Sequence, residues 1–431
     1  MNTRFFATVL PFVVAWTTVV MLGRRPSTAQ LTGSFTDWMN HPAIAYRTGP
    51  TTDPVAKLMA SLDAGRVQLK DEGPSGYLRS VLDALGVPVE SQMAVFVKDS
   101  VQASRISQRN PRTLFFNDSV VVGWVRGGFI ELAAQDPQQG VVFYSLDRPL
   151  PLIGKPRFVR RNDCLTCHYS YDTVGVAGML VRSVGQSAVD HRLVFEQRWG
   201  GWYVTGQHGS MRHMGNADVG TLFNTPPPAN TLNWPSFDGR FDTTGYLSVH
   251  SDIAALMVFE HQMHAMNLLT RLGWETRVGA SQTPVGNGST RKAEANTEAP
   301  IPARDGAREV VDYLLFIDEA PLGSPVRGST SFAERFAAQG PRDSKGRSFR
   351  QLDLTRRLLR YPCSYLIYTA QFQSLPLVAK QAIFERMWDI LSGKEKDPRY
   401  RRLSLGDRQA IVEILRETMP DLPSYFRPVT R

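Results

Sequence analysis

The chain has 431 residues, with 49 Lys and Arg against 40 Asp and Glu for a net charge of +9, and only 3 cysteines. So few cysteines, and an odd number of them, exclude a disulfide-stapled scaffold. No stretch interleaves basic with aromatic residues as a nucleic-acid site would, so no nucleic-acid partner is expected. The positive excess leaves open a basic face that steers an acidic partner, although scattered solvated Lys and Arg give the same count.

The N-terminus reads as an export signal. After Arg4 an apolar run extends from Phe5 to Gly23, and Ser27-Thr28-Ala29 supplies small residues for cleavage before Gln30. Arg24-Arg25 opposes translocation of the downstream chain, so an uncleaved membrane anchor through Phe5 to Gly23 is the alternative. Both readings place the remaining residues outside the cytoplasm, in the periplasm or an equivalent space. Losing residues 1–29 removes three arginines and no acids, which lowers the charge from +9 to +6.

Beyond the leader, Pro54 to Leu62 and Gly76 to Leu85 carry apolar residues at helical spacing. From Met93 to Leu150 the pattern changes to short β-branched and aromatic runs: Ala94 to Val97, Thr113 to Phe116, Ser119 to Val125, Phe129 to Ala133 and Val141 to Leu146. Separated by Asn, Asp, Gly and Pro, they predict an antiparallel meander. Leu193 to Thr205, with Arg198-Trp199-Gly200-Gly201-Trp202-Tyr203, continues that character.

Between these β-rich stretches lies Cys164-Leu165-Thr166-Cys167-His168. Cys-x-x-Cys-His is the spacing at which two thioethers attach a haem while the histidine ligates its iron. A single helical turn presents both sulfurs along one porphyrin edge, and the next residue aims an imidazole at the metal. Zinc and thiol-redox sites also use Cys-x-x-Cys. A closed zinc site wants a second ligand pair, however, and a thioredoxin-like site wants a βαβ context, neither of which is visible. Cys363, in the apolar Leu358 to Tyr368 stretch, is expected to be a buried small residue.

On these three residues the chain resembles the c-type cytochromes. That resemblance implies one covalent haem c, with Cys164 and Cys167 as thioethers and His168 as the proximal iron ligand. The text from Arg161-Asn162-Asp163 through Tyr169 to Val184, and on to Arg198 to Tyr203, looks like that of uncharacterised secreted bacterial single-haem proteins. With 163 residues ahead of the motif, the small all-helical cytochrome c fold is not expected to carry over.

The second axial position decides the chemistry. Gln207 to Asn216, a glycine-flanked segment, offers His208, Met211, His213 and Met214, with the two histidines ahead as distal ligands. Met179 is expected in the core. Arg160, Arg161 and Arg182 are placed to pair with propionates. Tyr169, Tyr171, Trp199 and Trp202 are candidates to wall the porphyrin. Asp252 to Leu272 is the clearest helix, capped by Ser251 or Asp252 and stopped by Gly273. Its Glu260, His261 and His264 share a face. They read as a metal site completed by Glu309, Asp312, Asp318 or Glu319, as buried groups satisfied by hydrogen bonds, or, for one of the two histidines, as the distal haem ligand. His250, just before that helix, is a further distal candidate.

Thr276 to Ala307 reads as a linker or long loop. After it, Val310 to Ile317, Phe332 to Gln339, Leu352 to Arg360, Leu375 to Leu391 and Leu405 to Met419 are predicted helices. The expected class is therefore α+β, with a β-rich antiparallel N-terminal half carrying the motif and a helical C-terminal part. The expected division is a leader (1–29), a haem-binding domain (30–275), a linker (276–307) and a helical region (308–431).

Three functions fit. The leading one is electron transfer to an unidentified redox partner, protein or small molecule. The second is a haem oxidoreductase of peroxidase type, with His208 or His213 as acid-base group and Arg212 as stabiliser. The third is a haem-based sensor or binding module.

Overall fold

The computed structural model describes residues 38–147, 156–218, 220–221, 232–282 and 301–429. The export signal and the middle of the expected linker lie outside them. Residues 37–431 form one compact unit.

Seven strands make one antiparallel sheet: β1 (Met93–Val95), β2 (Arg112–Phe116), β3 (Val120–Trp124), β4 (Ile130–Asp136), β5 (Gly140–Leu146), β6 (Phe158–Arg160) and β7 (Trp202–Tyr203). Their order is β6-β5-β4-β3-β2-β1-β7, so the meander predicted from the sequence is the sheet's backbone, with β7 added at its edge. Register follows the alternation of side chains: Phe115 faces Val122, and Leu132 faces Tyr144.

Both faces of the sheet are covered. Helices α1 (Pro54–Asp63) and α2 (Leu78–Leu85) pack Val55, Leu58, Leu78 and Val81 against Phe115, Val122, Leu132 and Tyr144. The other face, with Leu114, Phe116, Val121 and Phe143, belongs to the main core. That double coverage explains why β3 and β5 are buried at every residue. A four-residue turn, α3 (Leu165–His168), follows β6 and carries the cysteine motif.

The main core is built around α4 (Ile253–Gln282), a 30-residue helix whose residues from Ile253 to Met263 are all buried. Asp252 starts it, accepting from the Ala254 and Ala255 amides at 2.8 and 3.2 Å. Gly273 does not end it. A Cβ there would lie 3.2 Å from the side chain of Leu375, so the glycine leaves room for that neighbour, and the helix runs on through residues expected to be linker.

Beyond it lie α5 (Ile301–Leu314), α6 (Phe332–Ala338), α7 (Ala370–Gln373), α8 (Leu377–Leu391) and α9 (Leu405–Thr418). Helix α5 starts earlier than expected and stops at Leu314, just before Phe316 takes a φ of 56°. Leu352 to Arg360, expected as helix, is a tight loop instead. The Asp353 carboxylate accepts from the amides of Thr355 and Arg356 at 2.9 and 2.8 Å, and Leu352 bridges to Leu359. A side chain that satisfies its own turn competes with the helix. A small ribbon of β8 (Gly206–Gln207) and β9 (Arg327–Gly328) joins the two halves of the chain.

Asp252 also accepts from the Thr330 amide and hydroxyl, both at 2.7 Å, so it ties the start of α4 to the segment after β9. Asp252→Ala is expected to lower stability by about 2 kcal/mol, at the upper end for a lost helix cap. Urea unfolding measures it, and an unchanged midpoint would refute the role.

Candidate functional site

The turn α3 is anchored by Leu165, which is buried in the main core, while Thr166 and Cys167 are exposed and Cys164 is half-buried. Consecutive amides from Leu165 to Cys167 bond back three residues, and the His168 amide reaches the Cys164 carbonyl at 3.0 Å. One helical turn therefore presents two thiols and an imidazole from a single anchor point.

His168 is the best-positioned group of the motif. Its ring packs on Phe143 of β5 at 4.8 Å between centroids, and its Nδ1 lies 3.0 Å from the Gly178 carbonyl. A carbonyl only accepts, so Nδ1 carries the proton and Nε2 holds the lone pair. No hydrogen bond reaches Nε2 among the described residues. Burial pushes the imidazolium down to about 4, against the pull of the Gly178 carbonyl, which keeps the ring neutral near pH 7.

The carbonyl is itself held. The Gly178 amide returns to the His168 carbonyl at 3.0 Å, Ala177 bridges Tyr169, and the Val141 amide of β5 bonds the Ala177 carbonyl at 2.9 Å. From α4, Asn267 receives the Met179 amide at 3.1 Å and donates to the Met179 carbonyl at 2.6 Å. Met179 is thus half-buried and fixed by its backbone. Sequence reasoning missed Asn267, and the only signal for it was an amide in a buried stretch of helix.

Burial, with the Asp163 charge second, pushes Cys164 up to about 11, whereas a reactive thiol needs its value lowered. Cys363 is fully buried, as its sequence context suggested.

The arginines around the motif are all engaged. Arg160 donates to the Tyr46 carbonyl at 2.5 Å, Arg161 pairs with Asp163 at 2.6 Å, and Arg182 pairs with Asp99 at 2.7 Å and Asp172 at 3.1 Å. Tyr171 is 65 % exposed beside the motif, whereas Trp199 is fully buried in the core. Trp202 donates to the Arg182 carbonyl at 2.7 Å, which puts it beside that arginine's backbone.

The proposed distal loop forms a cluster of its own. His208 and His213 are buried and face each other, Nε2 to Nε2, at 3.2 Å, packed against Phe195. His208 Nδ1 lies 2.8 Å from the Met211 carbonyl. Met211 Sδ accepts from the Gly323 amide, and Met214 Sδ from the Ser183 hydroxyl. No hydrogen bond or ring contact joins these four residues to His168 among the described residues. His250 bonds the Pro235 carbonyl at 3.1 Å.

On α4, Glu260, His261 and His264 point to different partners. Arg198 donates to one oxygen of Glu260 and Trp199 Nε1 to the other at 3.1 Å, all three groups being buried. His261 is bonded to His191 and to the Ser364 hydroxyl, each at 2.8 Å. Arg192 donates to His264 Nε2 at 3.0 Å while pairing with Asp190. Of the expected helpers, Asp312 is occupied by Arg399 and Tyr400, and Glu319 by the Leu358 amide. Among the described residues no three His, Cys, Asp or Glu are arranged to hold a metal ion. Each of the three groups is thus hydrogen-bonded within the fold.

No family model, curated protein or solved structure matches the chain.

These clusters set two expected outcomes. Glu260→Ala leaves Arg198 charged and buried, with an expected loss of about 3–5 kcal/mol, whereas the double change Arg198→Met with Glu260→Leu recovers most of it. Chemical unfolding of the three proteins checks this, and equal losses in both variants would refute it. The second outcome concerns acid. Burial is the main cause that lowers His191, His213, His261 and His264 below the usual imidazole value, the last three to about 3, 3 and 4. Their neutral forms contribute stability that is present above the unfolded value of about 6.5 and lost as pH falls toward 4. Glu260 and Glu319, both pushed up to about 7 chiefly by burial, act in the opposite sense but are fewer. Stability measured by urea should drop from pH 7 to 4.5 with a net uptake of protons on unfolding, and a flat profile would count against buried neutral rings.

Proposed function

We propose that the chain is an extracytoplasmic c-type haem protein that transfers electrons. The observation that carries this reading is the presentation of His168. Its Nδ1–H is committed to a backbone carbonyl, and its Nε2 lone pair projects from the same turn as two thiols. Metal-ligating histidines characteristically donate the other ring N–H to such an acceptor.

The residues present fit a haem. Cys167 is open to solvent and Cys164 half open, so both sulfurs are reachable for thioether formation, and neither is consumed in a disulfide. Leu165 anchors the turn in the core while that edge stays accessible. When bound, the haem supplies a one-electron ferrous–ferric couple. The chain's part is to hold His168 neutral and oriented, and to cover one side of the site with Phe143 and the 176–179 segment. Export to the periplasm rests on Phe5 to Ala29 by sequence alone. Among the described residues no helix is long and apolar enough to cross a membrane.

A second reading, a haem enzyme or sensor with an open distal side, gains support from one observation. His208, Met211, His213 and Met214 are each bonded elsewhere in the fold. A tightly bonded pair of histidines must break its contact before either can bind iron.

Expression with c-type haem maturation tests both. The wild-type protein should gain the mass of one haem, and the Cys164→Ala, Cys167→Ala double variant should gain none. Wild-type protein without covalent haem would overturn the proposal. With haem bound, low-spin spectra in both oxidation states support electron transfer, and a high-spin ferric form that takes up cyanide supports the second reading.

A further inference from the structure

We propose that Asn267, on α4, is a positioning residue that sets how strongly His168 donates to the haem iron. This inference rests on the haem reading above.

One peptide unit links the two residues. The Gly178 carbonyl, which receives His168 Nδ1–H, and the Met179 N–H belong to the same planar group and point in opposite directions. Asn267 Oδ1 receives that N–H at 3.1 Å, and Asn267 Nδ2 donates to the next carbonyl, of Met179, at 2.6 Å. Holding the N–H fixes the direction in which the carbonyl points. Donation from the N–H also polarises the carbonyl and makes it a stronger acceptor, as in any hydrogen-bonded chain. A stronger acceptor at Nδ1 raises the donor strength of Nε2 toward a metal.

The contact is built for this closeness. A Cβ at Gly178 would lie 2.2 Å from Asn267 Oδ1, so only glycine lets the amide approach. Asn267 is itself 1 % exposed, which excludes water as a competitor for either bond. The chain of contacts thus runs from α4 through Asn267, the 178–179 peptide and His168 to the iron position, across residues 88 positions apart in sequence.

The test compares three proteins matured with haem. In Asn267→Ala the reduction potential should move to more positive values and the ferrous iron–histidine stretch to lower frequency, with haem content unchanged. Leu269→Ala, on the same helix but in the apolar core, should lower Tm and move neither signal. Asn267→Asp, which in its protonated form keeps both bonds, should return toward wild type and stands in if the alanine variant does not fold. An Asn267→Ala protein with wild-type potential and stretch would overturn the proposal. If the wild-type chain carries no haem, the haem reading falls by itself. The clamp is then read from the ¹⁵N shifts of the His168 ring: Nδ1-protonated in wild type and a tautomer mixture in Asn267→Ala. An unchanged tautomer in the variant would overturn the clamp on its own.

Discussion

The burial of α4 is the constraint on which the structure depends. It lies between the sheet and the C-terminal helices with Ile253 to Met263 wholly buried, yet its sequence carries Glu260, His261, Gln262, His264 and Asn267. Each of these polar groups would cost several kcal/mol if left unmatched. The rest of the chain is arranged to match them. Arg198 and Trp199 serve Glu260, and His191 and Ser364 serve His261. Tyr365 and the Asn117 carbonyl serve Gln262, and Arg192 serves His264. Asn267 is matched by the backbone of Met179, and through it α4 reaches the cysteine motif.

This arrangement accounts for a motif in the middle of a long chain. A haem-attachment turn needs only four residues of helix, but its histidine must be held in one tautomer. Here the sheet supplies Phe143 under the ring and Val141 beside the 177 carbonyl, and the central helix supplies the amide that fixes the 178–179 peptide. Under the haem proposal, a body of this size is a support for one ligand geometry. The same packing keeps His208 and His213 bonded to one another inside a separate aromatic cluster with Phe195.

Much of this was legible in the sequence. The strands from Met93 to Leu146 declare themselves by β-branched runs broken at turn residues, and the one-turn grouping of Cys164, Cys167 and His168 by their spacing. Other features were not, for physical reasons. Gly273 imitates a helix stop because a crowded side-chain contact, here with Leu375, and helix termination both favour a residue without a side chain. Leu352 to Arg360 has helical spacing, but the Asp353 turn overrides it locally. The partners of Glu260, His261 and Asn267 lie 62, 70 and 88 residues away in the chain. A polar residue in an apolar helix announces that it needs a partner without saying which one, and so a metal site and a hydrogen-bonded core look alike from sequence.

A high-resolution structure of the haem-matured protein decides whether this fold delivers His168 to iron as an Nδ1-protonated imidazole braced on Gly178. The expected result is His168 Nε2 bonded to the iron, with Nδ1 still within hydrogen-bond distance of the Gly178 carbonyl. Iron held by another residue, or a His168 ring turned away from Gly178, would refute it.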